Sequence, residues 1–175
     1  VCSSDLAAGE AFAVPFVKAL AIPPGGGRFL LQRRAKTGDP YCGFWELPGG
    51  RMRWGETIEA ALRREIREET GLRLLRVLGP EGAPRTDRFG RTARRIEPLA
   101  VVEVVSGPWP FVGLYFACAT EGDPAATEEG EAHRYVTPEE FRREFLEPGA
   151  AGACATLDLT ALEWILGQAT PPVLR

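Results

Sequence analysis

The sequence predicts an α+β fold built on a mixed β-sheet. Apolar, partly β-branched stretches of strand length stand before and after one central amphipathic helix, which is predicted over residues 57–71. A hairpin, a further strand and C-terminal helical segments follow along the chain. Strands and helices in this order are typical of the α+β class, in which the helices pack against a sheet that is not purely parallel.

The N-terminal part contains four predicted strands. Residues 12–22 are apolar on both alternating faces, which indicates a buried strand. The turn sequence PPGGG separates it from a second short strand over residues 28–34, and a third strand covers residues 44–47. Residues 72–78 form a strand that leaves the central helix.

The central helix carries clear start and stop signals. Thr57 is a suitable N-cap, and Gly71 suits the left-handed position that follows a helix. An apolar stripe in the first turns becomes acidic in the last turns, although like charges three and four residues apart repel each other. The stripe consists of Ile58, Ala61 and Leu62, followed by Glu65, Glu68 and Glu69. A cation is needed to offset this repulsion. Arg64, which reaches Glu68 at spacing four, can hold one carboxylate, and the remaining oxygens suit a hard divalent ion such as Mg²⁺ or Mn²⁺.

The C-terminal half is predicted to alternate loops with strands and to end in helices. The loop over residues 79–95 carries five arginines, which either contact substrate phosphates or are simply solvated. These are Arg85, Arg88, Arg91, Arg94 and Arg95. Two later strands are predicted over 99–105 and 112–119, joined by a loop that contains Trp109. An acidic loop over 120–132 and a brief strand over 134–136 follow. One helix is predicted from the capping box Thr137–Glu140 to about Leu146, and another ends at Gly167.

Composition excludes several functional classes. The 175 residues suit one domain, and a net charge of −3 argues against a nucleic-acid polymer or a membrane surface as partner. No apolar run is long enough for a membrane span, and residues 11–24 lack the basic leader of a signal peptide, so a cytoplasmic protein is expected. The single histidine excludes a multi-histidine metal site, and four scattered cysteines argue against structural zinc and a disulfide framework.

The spacing around the acidic stripe resembles the signature box of the Nudix hydrolases at every fixed position. The matching residues are Gly50, Glu56, Arg64-Glu65-Ile66, Glu68-Glu69 and Gly71-Leu72. The preceding FWELPGG also resembles the family's usual approach to the box. The resemblance is close over the box and looser from about residue 14 to residue 145. It implies the Nudix α/β/α sandwich, with the box helix packed on the sheet and its acidic end at the catalytic cleft.

The same resemblance implies the site residues. Glu68 and Glu69 would be the principal ligands of Mg²⁺ or Mn²⁺, Glu65 a ligand or base, and Glu56 a further ligand or an anchor for Arg64. Arg64 would orient the carboxylates, and the Gly50 carbonyl is another candidate ligand. The box alone does not fix the residue that deprotonates water, for which Glu131 and Glu128 are candidates. Gly49 and Gly50, whose backbone allows close approach, together with Arg33 and Arg95, are expected to bind the substrate.

The expected function is metal-dependent hydrolysis of a phosphoanhydride bond in a nucleoside diphosphate linked to another group. Nucleoside triphosphates and nucleotide sugars both stay open, because the proline that marks many ADP-ribose hydrolases is not at its usual distance and the nearest is Pro84. Two alternatives belong to other classes. One is a regulatory Nudix-like domain that senses nucleotides without turnover, and the other is a relative of isopentenyl-diphosphate isomerase with Cys42 as its acid.

Domain organisation is expected to be simple. Residues 1–10 are interpreted as a disordered or artefactual start, and residues 11–175 as a single Nudix hydrolase domain. Many members of the family form dimers. No stretch of this sequence predicts an interface, so a homodimer stays open.

Overall fold

A computed structural model describes residues 14–106 and 111–168 of the chain. The strands are β1 Val14–Ile22, β2 Phe29–Arg34, β3 Trp45–Glu46, β4 Arg73–Leu78, β5 Arg85–Thr86, β6 Thr92–Ala93, β7 Ala100–Glu103, β8 Phe111–Glu121 and β9 Gly130–Val136. The helices are α1 Ile58–Thr70, α2 Pro138–Phe141, which continues as a π-helical turn over Arg142–Leu146, and α3 Thr156–Gly167.

Strand β8 organises the larger sheet. It pairs in parallel with the whole of β1, from the pair Val14–Phe111 to the pair Ile22–Ala119. It is antiparallel to β4 and to β7, so this sheet is mixed. A second, antiparallel sheet has the order β3-β2-β9. The predicted α+β class with a mixed sheet is therefore confirmed.

Two cores on opposite sides of the sheets give the protein its layers. Side chains of β1 alternate between them, because successive residues of a strand point to opposite faces. Val17 and Ala19 pack in the core that contains Leu62 of α1. Leu20 packs in the other core, together with Leu162 of α3. This arrangement is an α/β/α sandwich with α1 on one side and the C-terminal helices on the other.

Helix α1 begins and ends where its sequence signals predict. The hydroxyl of Thr57 accepts a hydrogen bond from the backbone N–H of Ala60 at 3.2 Å. At the other end, Gly71 adopts φ 73° and its N–H donates to the carbonyl of Arg67. The end caps therefore fix which carboxylates lie on the last turns of the helix.

Two loop predictions were wrong. The arginine-rich loop over residues 79–95 contains the β5–β6 hairpin, whose turn is closed by the Asp87 carboxylate as it accepts the N–H groups of Phe89 and Arg91. The predicted acidic loop after residue 119 is shorter than expected. Strand β8 extends to Glu121, and β9 begins at Gly130 because it pairs with the full length of β2.

Some expectations concern residues that the structure does not describe. The predicted start over residues 1–10 and the Trp109 loop both lie outside the described ranges. Within those ranges, the thiols of Cys42, Cys118 and Cys154 are not joined to one another. None of the described helices has the length and the apolar character that crossing a bilayer requires.

Candidate active site

The turn that follows β3 (residues 47–50, here called the box turn) is fastened to β1. The N–H groups of Val17 and Ala19 donate to turn carbonyls, and the acceptor for Val17 is Gly50 at 2.9 Å. Gly49 adopts φ 141°, and a Cβ atom at this position would lie 2.1 Å from the carbonyl oxygen of Val17. Only glycine can bring the turn this close to the strand.

Glu69 lies where the box turn meets the last turn of α1. Its side chain is 3% exposed, and its Oε2 accepts hydrogen bonds from Gln32 Nε2 and from the Gly49 N–H, both at 2.7 Å. Burial raises the pKa of Glu69 to about 7, since these bonds and the charge of Lys18 only partly offset the lost hydration. A cation at this position would favour the charged carboxylate.

Arg64 ties the remaining box carboxylates together. Its Nε and Nη2 contact the two oxygens of Glu56 at 2.7 and 2.9 Å, and its Nη1 reaches Glu68 at 3.3 Å. The same Nη1 also contacts Glu65. Hydrogen bonds from Arg64 and from the Arg53 backbone lower the pKa of Glu56 to about 2. A single planar guanidinium therefore sets the orientation of three carboxylates.

Glu65 is pressed against the box turn. Its carboxylate lies so near Gly50 that a Cβ atom there would be 2.7 Å from Oε1. Burial raises the pKa of Glu65, and the nearby charges of Glu68 and Glu129 add to the rise although Arg64 opposes it. Glu68 is half exposed and also lies 3.5 Å from Arg53. The site therefore has a buried side, formed by Glu65 and Glu69, and a solvent side at Glu68.

The donor set fits a hard divalent cation without forming a finished cage. In residues 14–106 and 111–168, no three acidic, histidine or cysteine side chains are already arranged to hold a metal ion. Magnesium commonly keeps water ligands and takes only one or two carboxylates together with substrate phosphates, so it needs no such cage. Within the same ranges, the buried Gln32 Oε1 beside Glu69 has no hydrogen-bond partner. It offers an additional acceptor at the site.

Three of the predicted site residues lie in other ion pairs. Glu131 pairs with Arg33 at 3.2 Å, and both side chains are half exposed. Arg33 also donates to the carbonyl of Gly43. Arg95 pairs with Glu97 at 3.2 Å. In the described part of the chain, neither Arg33 nor Arg95 forms an ion pair with a carboxylate of α1.

Sequence reasoning missed several residues that support Glu69. Gln32 donates to the Glu69 carboxylate. The Glu69 backbone carbonyl accepts a hydrogen bond from the Thr127 hydroxyl at 3.0 Å and lies 3.1 Å from His133 Nε2. One feature of the sequence could have identified Gln32: it is a polar residue that follows three apolar residues in a strand. No such feature marks Thr127 and His133, since only the fold brings them to the end of α1.

A comparison with models of known protein families shows to which family this chain belongs. The family model described as the NUDIX domain matches residues 16–157, which is most of the chain. The chain belongs to the Nudix family. The family expected from the signature box is thus confirmed.

Three relatives show how far the likeness extends. Nucleoside triphosphatase NudI of Enterobacter sp. (strain 638) is 54% identical over 48 residues, which are 27% of this chain and 34% of that protein. ADP-ribose pyrophosphatase of Methanocaldococcus jannaschii is 37% identical over 82 residues, 46% of either chain. A MutT-like protein of Streptomyces ambofaciens is 32% identical over 133 residues, 75% of this chain and 70% of that one. The chain thus spans less than half the length of the first two relatives.

Solved structures agree with the family assignment. The MutT Nudix hydrolase from Burkholderia pseudomallei superimposes with a TM-score of 0.62 and 24% identity, covering 89% of this chain and 99% of that one. Identity at this level establishes the fold alone. The Nudix α/β/α sandwich is therefore confirmed for this Nudix family member.

Proposed function

We propose that this Nudix family member is a metal-dependent pyrophosphohydrolase. It cleaves a phosphoanhydride bond in a nucleoside diphosphate linked to another group. The observation that carries this proposal is the junction of the box turn with α1, where the Gly49 N–H donates to the buried Glu69 and the Glu65 carboxylate occupies the space that a side chain at Gly50 would need. Carboxylates gathered at a glycine turn suit a divalent cation and the close approach of a diphosphate.

Mg²⁺ or Mn²⁺ is the proposed cofactor. Glu56, Glu65, Glu68 and Glu69 are its proposed side-chain ligands, with the Gly50 carbonyl as a further donor. When bound, the ion neutralises charge on the phosphoryl oxygens and acidifies water. The chain itself contributes the rest. Arg64 holds its carboxylates in place, and the glycine backbone leaves room for the substrate.

The proposed general base is Glu131, which lies on β9 in an ion pair with Arg33. To accept a proton from water, its carboxylate must be released from this pair, and an incoming phosphate that attracts Arg33 would release it. Glu129 is the alternative, because its charge acts on Glu65. Turnover of Glu131→Gln compared with Glu129→Gln over a range of pH decides between them: the base is the residue whose loss removes the acidic limb of the profile.

The proposed substrates are nucleoside triphosphates and nucleotide sugars. Both kinds occur in the names of the relatives, as a nucleoside triphosphatase and an ADP-ribose pyrophosphatase. Arg33 and Arg95 are proposed to contact substrate phosphates, since both are exposed enough to exchange their present partners. Residues 11–175 are proposed to form one domain, consistent with the extent of the family match.

The test is a product assay against a panel of nucleotides and nucleotide sugars with Mg²⁺ or Mn²⁺. We expect metal-dependent release of a monophosphate from one class, and a loss in Glu68→Gln of at least the ~10–100-fold that removing a residue behind a metal ligand typically costs. Glu163→Gln, an exposed glutamate on α3, serves as the matched control and keeps parental turnover. Tight nucleotide binding without turnover across the panel would indicate a nucleotide-sensing domain and overturn the proposal.

A further inference from the structure

A buried lysine reaches the box turn from β1. Lys18 is 8% exposed, and its Nζ donates to the Leu47 carbonyl at 2.7 Å and to Glu46 Oε2 at 3.1 Å. It also lies 3.7 Å from Oδ2 of Asp158 on α3. The ammonium therefore lies between two carboxylates and the first residue of the box turn.

Asp158 holds the other backbone group of the same residue. Its Oδ2 accepts the Leu47 N–H at 2.8 Å, and its Oδ1 accepts the Tyr115 hydroxyl at 2.9 Å. Asp158 is 1% exposed. Both polar backbone groups of Leu47 are thus bound by charged side chains, one from the first strand and one from the last helix.

Charge neutralisation alone does not explain this arrangement. Glu46 already has a cation, because Arg34 Nη1 lies 3.1 Å from its Oε1. Burial on its own lowers the pKa of Lys18, but the charges of Asp158 and Glu46 outweigh it and raise the pKa above its usual value. The ammonium is therefore kept charged, and its short bond to the Leu47 carbonyl is directed at the backbone of the turn.

Two residues after Leu47, the turn presents the N–H that Glu69 accepts. The Gly49 N–H can point at Glu69 Oε2 at 2.7 Å only while the turn keeps its path along β1. We propose that Lys18 and Asp158 are positioning residues that fix the box turn through Leu47 and thereby place Glu69. The proposal depends on the proposed function only in treating Glu69 as a metal ligand, since the hold on the turn is independent of turnover.

The experiment compares a charge-balanced variant with a matched control. Lys18→Met combined with Asp158→Ala removes both charges and both side-chain bonds to Leu47 together, so no uncompensated charge stays buried. Each single variant is measured beside it. Thr120→Val is the control, because it deletes another buried side-chain bond to β1, to the carbonyl of Ile22 at the far end of the strand.

Two readouts are used on the full chain. The first is the amide chemical shift of Gly49 and Gly50 in ¹H–¹⁵N spectra without metal or substrate, and the second is the dissociation constant of Mn²⁺ from spin-resonance titration. We expect both glycine amides to shift in the double variant and Mn²⁺ affinity to fall on the order of tenfold, as for other residues that orient ligands. The control leaves both readouts at parental values.

A double variant that folds with parental glycine shifts and parental Mn²⁺ affinity would overturn the positioning role. Equal changes in Thr120→Val would overturn it as well, because the effect would then be general loosening of β1. A parent protein that binds no Mn²⁺ would instead contradict the proposed metal site. The glycine shifts would then still decide whether Lys18 and Asp158 hold the turn, so the two failures are distinguishable.

Discussion

The box turn and the β5–β6 hairpin are both loops with charged surroundings, yet they differ in how those charges are held. Around the box turn, Lys18, Glu46 and Asp158 are buried, and each bonds either the backbone or another charge. In and beside the hairpin, the arginines are exposed, and their ion pairs lie at the surface, such as Arg91 with Asp87 at 2.8 Å and Arg95 with Glu97 at 3.2 Å.

This difference shows that the number of charges does not locate the functional site. Exposed ion pairs contribute little, typically ~0–1 kcal/mol, because water solvates each partner well without the other. A buried charge must be compensated, so its position is coupled to everything around it. Changes at the box turn should therefore be large and changes at the hairpin small, and four predictions test this contrast.

The largest effect is expected from a single methyl group at the box turn. Gly49→Ala places a Cβ atom against the Val17 carbonyl, and we expect a loss of more than about 4 kcal/mol of unfolding free energy. Gly90→Ala in the hairpin is the control, since its φ of 81° is also positive but nothing lies within 4 Å of the added atom. It should cost about 1–2 kcal/mol. Urea unfolding measures both, and equal losses would contradict the contrast.

The second prediction concerns the pH dependence of stability in the metal-free protein. The pKa of Glu69 is raised from 4.5 to about 7, so the native state binds more protons than the unfolded state between these values. The native state is therefore progressively destabilised as pH rises from 4.5 to 7, by about 3 kcal/mol in all.

Glu69→Gln cannot ionise and should escape this loss. Its unfolding free energy relative to the parent should increase as pH is raised from 5 to 8, as measured by urea unfolding in the presence of a chelator. Glu131→Gln, which changes a half-exposed carboxylate, should stay within about 0.5 kcal/mol of the parent at each pH. A difference between Glu69→Gln and parent that does not vary with pH would disprove this account of Glu69.

The third prediction compares two arginines. Arg64→Lys keeps the charge but cannot contact both oxygens of Glu56 in a planar fork, so kcat/KM should fall on the order of 10–100-fold. Arg94→Lys, just beyond the hairpin, should stay near the parent because its contacts to Glu59 and Glu81 are long, at 3.5 and 3.7 Å. Similar activity in both variants would mean that Arg64 does not orient the carboxylates.

The smallest effect is expected at Arg95. If this arginine only attracts substrate phosphates, Arg95→Ala should raise KM by less than about tenfold and leave kcat unchanged. Steady-state kinetics at two salt concentrations measures this, and the effect should shrink at high salt. A fall in kcat with unchanged KM would instead place the hairpin in the catalytic machinery, and the contrast with the box turn would be lost.

Local signals made part of this architecture predictable. The caps Thr57 and Gly71 gave both ends of α1, and the capping box at Thr137 gave the start of α2, because such contacts lie within a few residues. Glu65, Glu68 and Glu69 followed from their spacing on one helix, and Glu56 followed from the family resemblance. The contact between Arg64 and Glu68 agrees with the predicted pair of these two residues.

The rest depends on contacts between distant segments. The two-residue strands of the β5–β6 hairpin, Arg85–Thr86 and Thr92–Ala93, are too short and too polar for an alternating pattern. Lys18 is a charged residue within an otherwise apolar strand. Its role could not be predicted, because its partners Glu46 and Asp158 are 28 and 140 residues away in the sequence. No local sequence rule predicts such pairings. These pairings distinguish the buried charges beside the site from the exposed charges at its surface.

The hydrogen bond between Leu47 and Asp158 also bears on the order in which the protein can be made. It joins residues 111 positions apart, and β1 enters its sheet through β8, whose residues lie 97 positions after their β1 partners. Contacts of such long sequence separation slow folding, because a large loop must close before they form. During synthesis, the Leu47–Asp158 bond would thus form only after α3 has emerged from the ribosome, whereas the backbone bonds between the box turn and β1 join much closer residues and can form earlier.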